Sequence, residues 1–176
     1  MSVAVGDPAP GFSLPDTDGG EVGLDEGAGA PARIVAFWCN HCPYVQAWEA
    51  RFDAIAREYS DRGVVTVAIC SNDARVQPAD AFERMVERAA ERRYAFAYAH
   101  DATQEVARAY GAERTPEVFV VDAAGRVAYH GAIDDSTDPD AVTAHHLRDA
   151  LDAVLAGRSP AVPSTPPVGC TIKWSR

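Results

Sequence analysis

Lysine is nearly missing from this chain of 176 residues: Lys173 is the sole example, and all basic residues number 16 against 26 acidic ones. The formal charge of −10 repels phosphate backbones and anionic lipid, so no nucleic acid and no membrane are expected among its partners. No apolar run approaches the ~20 residues that a membrane-spanning helix needs. The opening residues hold no basic cluster followed by an apolar core, so no signal peptide is expected and the expected compartment is cytoplasmic. Cysteine is also scarce. Four residues are too few for a secreted disulfide framework, and where thiols are kept reduced a disulfide is catalytic or transient. A hydrophobic share of 47% and a charged share of 24% belong to an ordinary globular chain rather than a disordered one. The length fits one domain.

Phe12 and Leu14 alternate with polar neighbours, Asp18-Gly19-Gly20 is a turn signal, and Glu21 to Leu24 alternates again. That pattern predicts an N-terminal β-hairpin. Arg33 to Trp38 is a continuous apolar run typical of a buried strand. Val45, Trp48, Phe52, Ile55 and Tyr59 then recur at intervals of three and four, one stripe of a helix. Val64 to Cys70 predicts a second buried strand, and Asp80 precedes a helix with Phe82, Met85, Val86 and Ala89 on one face. A short strand at Phe96 to Ala99, a short helix after Thr103 that carries Val106, Ala107 and Tyr110 and stops at Gly111, and a hairpin of Glu117 to Val121 with Val127 to Gly131 follow. A last helix is expected from about Pro139 to Ala156. The order is that of an α/β domain with a central mixed sheet flanked by helices. Residues 1–156 are expected to form that domain. Residues 157–176 form a Pro-rich extension, packing on the domain or reaching over it.

Cys39 and Cys42 lie at the junction between the first core strand and the first long helix, the edge where open α/β sheets place their sites. Their spacing lets the sulfurs join and part again. The unpaired N–H groups of a helix start favour the thiolate, which is the reactive form. Cys39 is expected to face solvent and attack, with Cys42 pointing inward to resolve the mixed disulfide. His41, between them, is placed to tune that thiolate. No cofactor is expected beyond the redox-active disulfide itself. Zinc needs four ligands and a lone CxxC supplies two; Cys70, Cys170, His100, His130, His145 and His146 offer no second close pair. No metal site is therefore expected, although a non-enzymatic metal-binding module using Cys39, Cys42 and a histidine stands as one alternative.

Trp38-Cys39-Asn40-His41-Cys42 after an apolar strand, with Thr115-Pro116 ahead of another, resembles the thioredoxin fold. The opening GDPAPGFSLPDTDGG, the CNHCPYV segment and the ending GCTIKW are similar to one branch of it. That branch is the peroxiredoxin-like, thioredoxin-domain proteins of the alkyl hydroperoxide reductase/thiol-specific antioxidant superfamily. The resemblance implies that Pro116 is cis and that Thr115 offers its backbone to a bound substrate chain. Trp38, Asn40, His41, Pro43, Thr115 and Pro116 would then shape the site around catalytic Cys39 and Cys42. The implied activity is thiol–disulfide oxidoreduction. The implied partners are protein or low-molecular-weight disulfides and thiols, or peroxides, together with a thiol reductant.

Two departures from the pattern matter. Peroxiredoxins carry proline and threonine ahead of the peroxidatic cysteine; aligned on Cys42, those positions hold Val35 and Cys39. A thiol peroxidase acting through Cys42 is the second alternative. The strand before the cysteines also lacks the acidic residue that serves thioredoxin as a proton acceptor. Cys170 is a candidate third redox thiol, since an extended connector of about 40 Å could span the domain. Cys70, ending a buried strand, is expected to be a core residue.

Overall fold

The N-terminal hairpin forms as expected, with strand β1 (Ser13–Pro15) antiparallel to β2 (Glu21–Gly23), in a computed structural model that describes residues 2–176. Strand β3 (Ala32–Phe37) is buried at all six positions. Helix α1 (Pro43–Ser60) follows, with Val45, Trp48, Phe52, Ile55 and Tyr59 all buried on its inner stripe. The crossover returns to β4 (Val65–Cys70), parallel to β3. Helix α2 (Phe82–Arg92) leads to β5 (Ala97–His100), parallel to β4. Helix α3 (Glu105–Tyr110) stops at Gly111, whose φ of 69° puts it in the left-handed region that a helix C-terminus favours.

A two-residue strand, β6 (Arg114–Thr115), precedes the hairpin of β7 (Glu117–Asp122) and β8 (Val127–Gly131). Strand β7 pairs antiparallel with β3 and completes a mixed five-stranded sheet of order β5-β4-β3-β7-β8. Helix α4 (His146–Leu155) packs on it, and β9 (Cys170–Thr171) closes the chain against β6. This is a thioredoxin-like α/β fold.

Alternation along the central strands divides the core in two. Ile34, Ala36 and Trp38 pack with α1, Met85 of α2, and Leu147 and Leu151 of α4. Val35, Phe37 and Phe119 face the other way, onto Val22, Leu24, Tyr110 and Ile172. The terminal segment thus contributes to the second layer; Ile172 is buried in it. Among the described residues, no helix is long and apolar enough to cross a membrane.

Two expectations need correction. The last helix does not begin near Pro139: Pro139–Ala141 is a single 3-10 turn, and the helix starts at His146. Asp135 accepts hydrogen bonds from the Thr143 backbone N–H and hydroxyl, which hold the intervening segment out of helical register. Val86 does not join the inner face of α2; it is among the exposed hydrophobics, while Met85 is wholly buried. The Asp134-Asp135 loop that precedes Pro139–Ala141 is tied to α1 through its first residue. Asp134 is buried and accepts from Trp48 Nε1 at 2.7 Å and from Arg51.

Phe119 sits at the centre of the second layer, 5.0 Å between ring centroids from Tyr110 and 5.9 Å from Phe37. Phe119→Ala should lower unfolding stability by about 3–5 kcal/mol, read from the urea midpoint at unchanged slope.

Candidate active site

The backbone leaves the sheet gradually. Trp38 N–H still donates to the Ile69 carbonyl at 2.8 Å, and its ring clusters with those of Phe52 and Phe96, with no surface exposed. Cys39 to His41 are bent and non-helical, and α1 begins only at Pro43, so Cys42 is the N-cap residue. Proline at the first helical position supplies a fixed φ and no N–H to satisfy.

Non-helical N–H groups at Asn40 and His41 need an acceptor in a buried setting. Asp80, itself without exposed surface, provides it. Its Oδ1 accepts from Asn40 N at 2.7 Å and His41 N at 3.2 Å. Its Oδ2 accepts from Asn72 Nδ2 at 2.8 Å and contacts His41 Nδ1. Asn40 is satisfied at its other atoms by Ala79 O and by the Tyr98 hydroxyl. Asp80 therefore does not cap the following helix, whose N-cap is Ala81. It is a structural and electrostatic partner of the cysteine loop that sequence reading missed. The only signal was its position in Pro78-Ala79-Asp80, and nothing local to that segment points at residues 39–42.

Opposite the loop, the Thr115–Pro116 bond is cis. Thr115 Oγ1 lies 3.4 Å from Cys39 Sγ, and Thr115 O lies 3.4 Å from Cys42 Sγ. The β6 edge is fixed from behind by Glu117, a buried carboxylate that accepts from the N–H groups of Glu113 and Arg114 and from His130 Nε2 at 3.0 Å. This second buried carboxylate also escaped notice in the sequence. The edge is not open for a substrate chain, because β9 occupies it, with Thr115 opposite Cys170 and Arg114 opposite Thr171.

The two cysteines do not divide as expected. Neither exposes any surface, at 0% each, so Cys39 does not face solvent. Cys39, two residues past β3, turns in toward Thr115 and the Asp80 charge. Cys42, at the cap, meets Cys170 with the sulfurs 2.7 Å apart. The physical reason is the helix start: because Pro43 is the first helical residue, Cys42 rather than Cys39 holds the end position. The thiol of Cys39 is held far above its ordinary value, first by its hydrogen bond to Cys42, then by burial and by Asp80. Cys42 is driven well below its ordinary value, first by the Cys39 hydrogen bond, with Cys170 and the Val45 amide assisting against the cost of burial. Cys170 is raised, first by burial and then by Cys42. Cys70 is pushed up to about 12 by burial, which suits the core role expected of it.

Cys39, His41 and Asp80 also offer three ligand atoms within 4.8 Å of one another. Both Asp80 oxygens already accept two contacts each, so a cation there would have to displace backbone and side-chain donors.

The pKa directions carry a test. Reduced protein titrated by ultraviolet thiolate absorbance should hold one thiolate at pH 7 that protonates only on acidification, well below the usual thiol value of about 8.5. Cys42→Ser should remove that signal, and Cys70→Ser should leave it. Asp80→Asn removes a charge that disfavours the Cys39 thiolate, so it should bring the Cys39 titration to lower pH in the same measurement.

Comparison with known proteins places these features in a family. The Redoxin family model matches residues 4–145. A crystal structure of a hypothetical protein from Sinorhizobium meliloti is 40% identical, with a TM-score of 0.93 over 99% of this chain and 97% of that one. An uncharacterized conserved protein from Geobacillus kaustophilus is also 40% identical, with a TM-score of 0.92 over 98% and 93%. The peroxidoxin BcpB of Mycobacterium tuberculosis, at 21% identity and a TM-score of 0.64 over 88% and 95%, shares the fold. No curated protein matched. With its CxxC pair at the end of β3 and a family match over most of its length, the chain belongs to the Redoxin family.

Proposed function

We propose that this protein is a thiol–disulfide oxidoreductase in which Cys42 is the attacking thiolate and Cys39 completes the redox pair. The observation that carries the reading is the unequal treatment of the two sulfurs. Cys42 caps α1 with its sulfur 2.7 Å from Cys170 Sγ, whereas Cys39 Sγ turns to Thr115 Oγ1 at 3.4 Å; hydrogen bonding first from Cys39 and then from Cys170 lowers Cys42, in keeping with that placement. Attack of the Cys42 thiolate on a disulfide RS–SR′ forms Cys42–S–S–R and releases R′S⁻. Cys39 then gives up its proton and attacks the Cys42 sulfur, expelling RS⁻ and closing the Cys39–Cys42 disulfide. Two electrons pass from the pair to the substrate, and a thiol reductant returns them. Asp80, within 4.8 Å of Cys39 and His41, is placed to receive the proton. It would supply what the strand before the cysteines lacks.

No cofactor is needed beyond the disulfide, and the substrates are low-molecular-weight or protein disulfides. A cytoplasmic setting, where thiol reductants are abundant, suits the cycle. The proposed domain is residues 1–156, with 157–176 as an extension packed over it. A second reading uses the same thiolate: Cys42 attacks a peroxide, becomes a sulfenic acid and condenses with a neighbouring thiol. It is favoured by the lowered Cys42 and opposed by Val35 and Cys39 in place of the peroxiredoxin proline and threonine.

Reduced protein mixed with cystine or with hydrogen peroxide separates the readings. Cystine reduction should fall by ~10³-fold or more in Cys42→Ser. Cys39→Ser should accumulate a mixed disulfide on Cys42, at least transiently. Faster oxidation by peroxide than by cystine, surviving in Cys39→Ser, would establish the peroxidase instead.

A further inference from the structure

The terminal strand is held over the site with its sulfur in place. Its register puts Thr115 opposite Cys170 and brings Cys170 Sγ to 2.7 Å from Cys42 Sγ. Gly169 allows this approach, since a Cβ there would collide with the Thr115 carbonyl. Anchors follow directly. Ile172 N donates to Glu113 O at 3.0 Å, Lys173 N donates to Asn72 Oδ1 at 2.8 Å, and Gln104 Nε2 donates to Lys173 O at 2.9 Å. Asn72 also donates to Asp80, so the strand and the cysteine loop share one polar scaffold.

Access differs sharply among the three sulfurs that meet here. Cys39 and Cys42 expose nothing, whereas Cys170 is only half-buried. With the tail seated, Cys170 is the one of the three sulfurs that presents surface to an external thiol. Exchange needs the attacking sulfur to reach its target atom, and Cys170 Sγ already lies against Cys42 Sγ.

We infer that Cys170 is a third redox thiol that draws the disulfide outward from Cys39–Cys42 to Cys42–Cys170, where an external dithiol reduces it. This rests on the oxidoreductase reading above. In the transfer, Cys170 loses its proton and attacks the Cys42 sulfur; the Cys39–Cys42 bond breaks, and Cys39 leaves and takes up a proton. No electrons enter or depart. In the next step a thiolate of the external dithiol attacks the Cys170 sulfur, and Cys42 leaves as its stabilised thiolate. The second thiol of the reductant then closes its own disulfide and releases Cys170. Two electrons have moved from the dithiol to the protein.

The full chain, oxidised with diamide and digested without reduction, tests this by mass spectrometry of linked peptides. Wild type should yield Cys42–Cys170 alongside Cys39–Cys42, and Cys39→Ser should yield Cys42–Cys170 as its main linkage. Gly169→Val, which keeps every cysteine but unseats the strand, should yield Cys39–Cys42 alone. Oxidised Cys170→Ser should be reduced by a protein dithiol such as thioredoxin at least ~tenfold more slowly than wild type. If Cys39→Ser keeps Cys42 and Cys170 unlinked while wild type forms Cys39–Cys42, the relay is overturned and the oxidoreductase reading stands. If neither wild type nor Cys170→Ser forms Cys39–Cys42, the oxidoreductase reading itself fails, and the relay with it.

Discussion

Everything at this site depends on where helix α1 begins. Proline at position 43 lacks an N–H and fixes its own φ, so the helix starts there and not at the first cysteine. That start leaves Asn40 and His41 non-helical with their N–H groups pointing out of the chain. Buried N–H groups must find acceptors, and Asp80 is held where it satisfies both. The same start gives Cys42 the end of the helix, where amide dipoles converge, and leaves Cys39 on the strand side next to a carboxylate. One residue's backbone chemistry thus gives two chemically identical side chains different surroundings, one at the helix end and one before it beside a carboxylate.

Much of the architecture could be read from the chain. The apolar run at 33–38 and the three-four spacing of Val45, Trp48, Phe52, Ile55 and Tyr59 carry unambiguous periods, and both became the expected strand and helix. Signals failed where polar contacts outweighed periodicity. Nothing in the string PAD distinguishes a capping aspartate from one aimed at a loop 40 residues earlier, because the difference lies in which backbone groups are left unpaired elsewhere. The late start of α4 has a similar origin in the Asp135 contacts with Thr143. For Cys170, connector length permitted a meeting with the cysteine pair without requiring it. The requirement comes from strand pairing at Thr115 and from the missing side chain at Gly169.

The site is also shielded more heavily than its sequence motif suggests. A CxxC loop at a sheet edge ordinarily reads as open to a partner's backbone. Here the chain's own strand fills that edge, so the unpaired groups of β6 are satisfied internally and the edge offers no template to other chains. Tyr44, Trp48, Thr165 and Val168 line a groove of about 520 Å³ along the tail, which leaves space for a small molecule beside it. The aromatic cluster of Trp38, Phe52 and Phe96, each ring in contact with the other two, gives the loop a rigid floor.

The pairing of β9 with β6 joins residues more than fifty positions apart, and β9 follows every other element in the chain. Such distant contacts close slowly, after the local helices and the parallel core have formed. On a ribosome that makes the protein from its N-terminus, the domain can assemble before Cys170 has emerged. During that interval Cys42 lacks the strand that later lies across it, so the last residues made are the ones that close the site.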